Sequence, residues 1–487
     1  MSEIISKIHD PFLKNSPTTA SDRNTDTALP LPYSSIAIFC LGFLILLCWY
    51  WRMDFYYYFL DDAVMLNNFR HNGWGEVWKA QNEHFMPLYK FVLYSYAKLF
   101  GNNGYWLHVV TVLAHGVVVF IAAYLAYVIS RSWFLAAFAL VLYGLNPLIW
   151  ETLYSQGGFG AALVLMGWLG SVLCLFLWFQ YRLRYLLILS LALLVFQSYT
   201  GGNSLFYPSL YLLLIFMSQE VVSRKVLGFV VALQCFNLLF FFLFIWDNAA
   251  QYQQQGFSLQ TFWAMFSYFL FASYTNIGRT ILVWILDPAP TVPMIIGPLI
   301  AVAGILVALS IFTVIRSARY RHLVIFGWVQ YLLFTALIAI ARHSFLPQQS
   351  LSSRYIYHIL PGVLFVVCGL YLFLVERFPR GRAAFPLALV LPWVLFWRQA
   401  NGDLESKKAW TERIHAGHYQ VTRYGVERPQ LTLTLTPLPG GVMEWGEMRD
   451  LYLWLDRNAV FRTSQQRQEL APHLQLTPEG FLPYIVR

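Results

Sequence analysis

Repeated apolar segments, each about 15–25 residues long, are the feature that most constrains the fold of this chain. A helix needs about 20 apolar residues to cross the hydrocarbon core of a bilayer. Charged residues make up 12% of the chain, whereas a soluble domain has roughly 25%. The sequence therefore predicts an all-α polytopic membrane protein with about 11 transmembrane helices. We assign these to residues 33–51, 105–129, 132–149, 158–179, 184–200, 203–218, 226–246, 294–315, 322–341, 355–375 and 383–397.

The distribution of Lys and Arg predicts the orientation of these segments. Cytoplasmic loops of membrane proteins carry an excess of both residues. Here alternate linkers are rich in them and the linkers between are poor. The rich linkers contain Arg131; Arg182 and Arg184; Arg224 and Lys225; Arg316, Arg319 and Arg321; and Arg377, Arg380 and Arg382. We therefore expect residues 1–32 to form a cytoplasmic tail, and the long linkers 52–104 and 247–293 to lie outside.

Two apolar segments leave alternatives open. Residues 258–286 are apolar enough to span, but a further span there would reverse the Lys/Arg pattern, so we expect two helices at the outer interface. Residues 383–397 are short and contain two prolines. If they cross, the membrane domain 33–398 is followed by an external tail, and if they re-enter, the tail is cytoplasmic.

The tail 399–487 is predicted to be a small soluble α+β domain. Its stretch QLTLTLT alternates as a strand does, and GEMRDLYLWLDRN has a helical pattern. The tail contains ten basic and ten acidic residues, so the formal net charge of +9 comes from residues 1–398. No basic, aromatic-rich soluble patch of the kind that binds nucleic acid is present, so membrane lipids, and not nucleic acid, are the expected partners.

Two adjacent aspartates, Asp61 and Asp62, follow the first apolar segment. Asp62 could cap a helix over residues 63–70. Adjacent carboxylates repel each other, and one of them beside a dry membrane border could act as a general base. The pair could also bind a divalent cation, with His84 as a further ligand. Glu83 and His84 lie in the same predicted external loop, in the stretch NEHFMPLYK.

Two histidines, His108 and His115, are seven residues apart in the second predicted span and so face one side of the helix. Polar groups in a membrane usually face the protein interior or a wet cavity. Interhelical hydrogen bonds or a part in the reaction would both explain them. Glu151, at the outer end of the third predicted span, is either a solvated helix-end charge or a ligand for a sugar.

The stretches FLDDAVMLNN, EHFMPLYK and LFGNNGYWLHVVTVLAHGVVVFIAAYLA together resemble the first-loop region of GT-C-type glycosyltransferases. These polytopic enzymes take sugars from polyprenyl-phosphate carriers and include protein O-mannosyltransferase-like and aminoarabinose-transferase-like members. GLNPLIWETLYSQGG at 144–158 is similar to a later linker of the family, and the likeness covers about residues 33–200. The family pair is often Asp-Glu, whereas this chain has Asp-Asp.

The resemblance implies an inverting glycosyltransferase with a GT-C-like membrane domain, in which Asp61 or Asp62 supplies the catalytic carboxylate. The donor would be a polyprenyl-phosphate-linked sugar, and the acceptor a hydroxyl of a glycan, lipid or protein. The family often places an Arg-Tyr pair late in the chain for the carrier phosphate, which matches Arg354 and Tyr355 here.

The chemistry of the later external linker agrees with this expectation. Departure of the carrier phosphate needs cations on the outer face, and a guanidinium suits phosphate oxygens. We expect Arg354 to bind the phosphate, with Arg342 as second choice and His343 nearby, although Arg354 could instead snorkel to the interface. The sequence assigns no cofactor with certainty, and a divalent cation stays open.

Two other functions stay open at this point. A glycan polymerase or ligase of another membrane fold would also use lipid-linked donors and external Arg and His residues. A lipid-linked saccharide transporter would need charged residues within the spans or internal repeats, which are not evident. The compact loops favour a bacterial plasma (inner) membrane, with the active site on the external, periplasmic side.

Overall fold

A computed structural model of the chain describes residues 37, 38, 40–45, 65, 68, 69, 72–79, 85–100, 104–144, 153, 156–201, 205–218, 220–244, 259, 260, 262, 263, 266, 306–341 and 353–381. This part of the protein is all-helical. The tail 399–487, the segment 383–397 and most of the linker 247–293 lie outside the described residues, so the predictions for them stay predictions.

Ten α-helices of ten residues or more lie in the described ranges. They are α1 (Pro87–Phe100), α2 (Gly104–Ser130), α3 (Trp133–Gly144), α4 (Gln156–Tyr181), α5 (Arg184–Ser198), α6 (Tyr207–Ser218), α7 (Arg224–Phe244), α8 (Leu306–Arg316), α9 (Arg321–Ala341) and α10 (Ser353–Arg377). Short 3-10 helices cover Gly73–Trp78 and Pro379–Gly381.

Five of these helices, α2, α4, α7, α9 and α10, are long and apolar enough to cross a membrane. They coincide with predicted spans and are compatible with a helical membrane protein. Helices α3, α5 and α6 also lie within predicted spans, and α8 ends one residue beyond its predicted span. Over the described residues each of the four is shorter than the roughly 20 residues that a crossing needs. The count of about 11 spans therefore stays a prediction.

Two tight turns reverse the chain at arginines. Arg131 directly follows α2 with φ 54°, and Arg182 directly follows α4 with φ 58°. The left-handed conformation at a helix end is usually taken by glycine, because a Cβ is disfavoured there. An arginine at this position brings a positive charge to the negative end of the helix dipole. The two turns make α2–α3 and α4–α5 antiparallel hairpins.

Helices α9 and α10 are antiparallel and touch at their backbones. A Cβ added at Gly327 would lie 2.6 Å from the backbone nitrogen of Val366 and 2.7 Å from the carbonyl oxygen of Gly362. A Cβ at Gly369 would lie 2.6 Å from a side-chain carbon of Val324. Small residues at a crossing point allow this approach, which is how apolar helices associate where lipid is as apolar as their side chains.

Helix α7 packs at the periphery of the described bundle. In its most apolar stretch 22% of the residues are buried, against 83% in α4. Its outward face carries large exposed apolar side chains, Phe236, Leu239, Phe242 and Leu243. A lipid-facing helix has this pattern, because the bilayer covers the exposed apolar surface.

Candidate functional site at the upper end of the bundle

Most of the predicted site residues lie outside the described ranges. These are Asp61, Asp62, Glu83, His84, Glu151, Arg342 and His343. His108 is described with its side chain, and Arg354 and Tyr355 are described as backbone positions in the first turn of α10. The structure therefore shows how the elements that adjoin the predicted site are arranged.

Helices α2 and α10 run in the same direction, as two hydrogen bonds show. The Nδ1 atom of His115 lies 2.7 Å from the hydroxyl of Tyr357, and the hydroxyl of Ser132 lies 2.6 Å from that of Tyr371. The two contacts occur in the same order along α2 and along α10, so both helices begin at the same end of the bundle. We call this end the upper end, and the end with Ser132 and Tyr371 the lower end.

The lower end collects arginines in ion pairs and ring contacts. Arg319 lies 3.8 Å from Glu376 of α10, and Arg182 pairs with Glu220 across the α4–α5 and α6–α7 connections. The guanidinium of Arg377 lies 5.5 Å from the ring centre of Phe312. The Lys- and Arg-rich linkers assigned from the sequence contribute these groups.

The upper half of α2, α3 and α10 buries a group of imidazoles and phenols. His115 and Tyr357 are fully buried, and His108 is 2% exposed two turns nearer the upper end. The ring of Tyr143 from α3 lies 6.4 Å from that of Tyr357. Among the described residues, the hydroxyl of Tyr143 has no hydrogen-bond partner. The interhelical hydrogen bond considered for these histidines is thus present at His115, and the group keeps unused hydrogen-bonding capacity.

Pro361 interrupts the backbone ladder of α10 just below this group. A proline has no N–H, so the carbonyl of Tyr357 receives no hydrogen bond from residue 361. The first two turns of α10, which contain Arg354 and Tyr355, are therefore held less firmly by the helix itself. The hydrogen bond between Tyr357 and His115 fastens this segment to α2.

The first loop contains a buried ion pair that sequence analysis missed. The ammonium of Lys90 on α1 donates to Oε1 of Glu76 at 3.0 Å, to the carbonyl of Lys79 at 3.0 Å and to the carbonyl of Glu76 at 3.2 Å. Asn72 donates to the other oxygen of Glu76 at 3.0 Å. Lys90 is fully buried and Glu76 is 4% exposed. All three protons of the ammonium thus have acceptors, and the 3-10 helix Gly73–Trp78 is fixed to α1.

Burial lowers the pKa of Lys90 below its ordinary value, and the carboxylate of Glu76 opposes that shift. The partners are 14 residues apart, which corresponds to no local pairing rule for a single helix. The sequence gives one indication of this pair. Charged residues are scarce in this chain, so Glu76 and Lys90 in an aromatic-rich loop are expected to pair with opposite charges.

Helix α1 docks on the ends of other helices. The backbone N–H of Leu88 donates to the carbonyl of Tyr199 at 3.1 Å, just after α5. The ring of Phe85 lies 4.5 Å from that of Phe240 near the end of α7, and Tyr89 packs on Phe159 at the start of α4. The chain that leaves the predicted residues Glu83 and His84 is therefore anchored at this junction.

This junction belongs to the upper end. Because α9 is antiparallel to α10, the later part of α9, including Phe334, approaches the upper end. Phe334 packs on Tyr207 at the start of α6, with ring centres 4.8 Å apart. The connection from α5 to α6, which receives the start of α1, therefore lies in the upper half of the bundle.

A small cleft of about 40 Å³ lies at this junction. It is lined by Phe85, Ser198, Tyr199, Gly201, Leu205, Asn237, Phe240 and Phe241. Asn237 is 7% exposed, and its amide nitrogen Nδ2 has no hydrogen-bond partner among the residues that the structure describes. The cleft thus combines aromatic rings with a buried amide whose hydrogen-bonding capacity is unused.

Within the described ranges, no three His, Cys, Asp or Glu side chains are grouped so as to hold a metal ion. The predicted metal ligands Asp61, Asp62 and His84 lie outside those ranges. Comparison of the chain with protein-family models, with curated proteins and with solved structures gives no match.

Proposed function

We propose that this protein is an inverting glycosyltransferase of the GT-C type, which moves a sugar from a polyprenyl-phosphate carrier to an acceptor hydroxyl. The observation that supports it best is the parallel arrangement of α2 and α10. Arg354 occupies the first turn of α10, one turn before Tyr357, at the end of the bundle where α2 begins and α1 is anchored. Residues of the first loop and Arg354 can act on one substrate only if they lie at the same end of the bundle, so this arrangement supports the proposal.

In the proposed reaction, Asp61 or Asp62 takes the proton of the acceptor hydroxyl as its oxygen attacks the anomeric carbon of the sugar. The new glycosidic bond forms as the bond from that carbon to the phosphate oxygen breaks, with inversion. The electron pair leaves with polyprenyl phosphate, whose charge the guanidinium of Arg354 stabilises. A bound divalent cation at Asp61, Asp62 and His84 would instead stabilise the same leaving group.

The remaining predicted residues have supporting roles in this proposal. Glu83, His84, His108, Glu151, Arg342, His343 and Tyr355 would contact the donor or acceptor. The membrane is proposed to be a bacterial inner membrane, with the reaction on the periplasmic side. These assignments rest on the sequence resemblance and on the chemistry of the residues.

The test uses the full-length protein in lipid nanodiscs with undecaprenyl phosphate carrying radiolabelled glucose, mannose, galactose or aminoarabinose. Release of sugar to water or to an added glycan gives the activity. We expect Asp61→Asn or Asp62→Asn to abolish release while thermal unfolding stays unchanged, and Arg354→Ala to raise KM for the donor. Full activity in both Asn variants and in the double variant would exclude the proposed base.

Two further experiments test for a bound cation and for transport in place of catalysis. Loss of activity in EDTA that Mg²⁺ or Mn²⁺ restores would assign the carboxylates to a cation. Movement of the labelled carrier between leaflets of a liposome, without any product, would indicate a transporter in place of an enzyme.

A further inference from the structure

Asn237 differs from its neighbour on the same face of α7. Gln234, one turn earlier, is 8% exposed and makes hydrogen bonds through both its amide oxygen and its amide nitrogen. Its Oε1 accepts from the backbone and hydroxyl of Ser209 at 3.1 and 2.9 Å, and its Nε2 donates to the carbonyl of Leu205 at 3.0 Å. Gln234 therefore holds α7 to α6. Within the described part of the chain, Asn237 has no such partner for Nδ2, although a buried amide without a hydrogen bond costs free energy.

The cleft beside Asn237 supplies the surroundings of a ligand. Phe85, Tyr199, Phe240 and Phe241 give aromatic surface, and none of the described residues that line the cleft is charged. Ser198 donates its hydroxyl to the carbonyl of Leu194 at 2.9 Å, which leaves its oxygen able to accept.

This lining selects one class of ligand. A phosphate needs cationic or clustered donors, which the described lining lacks. A hydrocarbon chain would fill the aromatic part but leave the amide unpaired. A neutral sugar satisfies both parts, because the C–H face of a pyranose packs on aromatic rings and its hydroxyls pair with the amide and the serine oxygen.

We propose that this cleft is a subsite for a neutral sugar ring, with Asn237 as the residue that donates a hydrogen bond to a sugar hydroxyl. A space of about 40 Å³ holds about one to three water-sized groups, so the cleft grips one edge of the ring, such as a hydroxymethyl group. The assignment rests on the proposed function and deepens it, because Phe85 directly follows Glu83 and His84 of the predicted first-loop site.

The test measures sugar binding without any transfer reaction. Full-length protein in nanodiscs is titrated with the methyl glycosides of glucose, mannose and galactose, and with inorganic phosphate, and saturation-transfer NMR reports binding. We expect saturable binding of at least one neutral glycoside and none of phosphate. Asn237→Leu, which keeps the branched side-chain skeleton but removes the amide, should raise Kd about 3- to 10-fold, the usual range for one hydrogen bond.

The matched control is Leu239→Ala, two residues along on the exposed face of α7, which should leave Kd unchanged. Asn237→Ala removes the amide without adding bulk and should weaken binding as Asn237→Leu does, and thermal unfolding of both variants separates loss of the ligand contact from a packing defect. No saturable glycoside binding by wild type, or equal Kd values for wild type and both Asn237 variants, would overturn the inference.

The experiments distinguish failure of the sugar subsite from failure of the proposed glycosyltransferase function. A protein that transfers sugar normally but has an Asn237→Leu variant with unchanged Kd and KM would refute the subsite and leave the enzyme. A protein that binds glycosides through Asn237 but keeps full activity in the Asp61 and Asp62 variants would refute the proposed base and leave the subsite.

Discussion

At the scale of single residues, the buried ion pair of Glu76 and Lys90 in the first loop should contribute strongly to stability. Both side chains are buried, and each depends on the other to compensate the loss of water. We expect Lys90→Met to destabilise the protein by about 3–5 kcal/mol, because it leaves a buried carboxylate without its charge partner. Thermal or denaturant unfolding in detergent measures this loss.

The double variant Glu76→Gln with Lys90→Met should recover most of that loss, because it leaves no unpaired buried charge. Lys79 is a matched control, since its ammonium lies 3.8 Å from Glu76 but its side chain is 55% exposed. Lys79→Met should change stability by less than about 0.5 kcal/mol. A Lys90→Met variant as stable as the Lys79→Met variant would contradict the structural importance of the pair.

The hydrogen bond between His115 and Tyr357 is weaker but bears on the site. We expect Tyr357→Phe to cost about 0.6 and at most about 1.7 kcal/mol, the range for hydrogen bonds between membrane helices. If the bond also holds the first turns of α10, the variant should raise KM for the donor. Tyr371→Phe removes the comparable bond to Ser132 at the lower end and should cost similar stability without changing KM. Equal KM changes in the two variants would argue against a positioning role for His115.

At the scale of helices, the contact of α9 with α10 is fixed by glycines. Gly327→Ala should cost about 1–3 kcal/mol, because its Cβ would meet backbone atoms that cannot move aside cheaply. Gly228 on α7 is the control, since a Cβ there meets nothing within 4 Å. Gly228→Ala should be neutral or slightly stabilising, because alanine favours helix over glycine. A similar melting temperature for the two variants would contradict the close crossing.

At the scale of the whole molecule, the two ends of the bundle should face opposite sides of the membrane. Leu99 on α1 is 78% exposed near the upper end, and Val221 between α6 and α7 is 89% exposed near the lower end. In a background without other cysteines, Leu99→Cys should react with an impermeant maleimide from outside intact cells. Val221→Cys should react only after the membrane is opened. The reverse pattern would invert the orientation drawn from the Lys and Arg distribution.

The apolar pattern predicted several helices closely, because length and hydropathy alone identify a span. The segment 158–179 corresponds to Gln156–Tyr181, and 184–200 to Arg184–Ser198. The pattern does not show which helix meets which, since lipid and the protein interior are equally apolar. The bond from His115 to Tyr357 joins residues 242 positions apart. The cleft is likewise built from three distant parts of the chain, around Phe85, Tyr199 and Asn237. Neither could be predicted from spacing.

The glycine crossing has one more consequence, which concerns how a bulky substrate reaches the interior. Two helices that touch along their main chains shift as one body, so the seam between α9 and α10 cannot part to admit a long isoprenoid tail. The flank beside α7, where large apolar side chains are exposed, is the alternative route. In the proposed enzyme, the tail would slide in sideways from the bilayer along α7, and its head would arrive at the aromatic cleft.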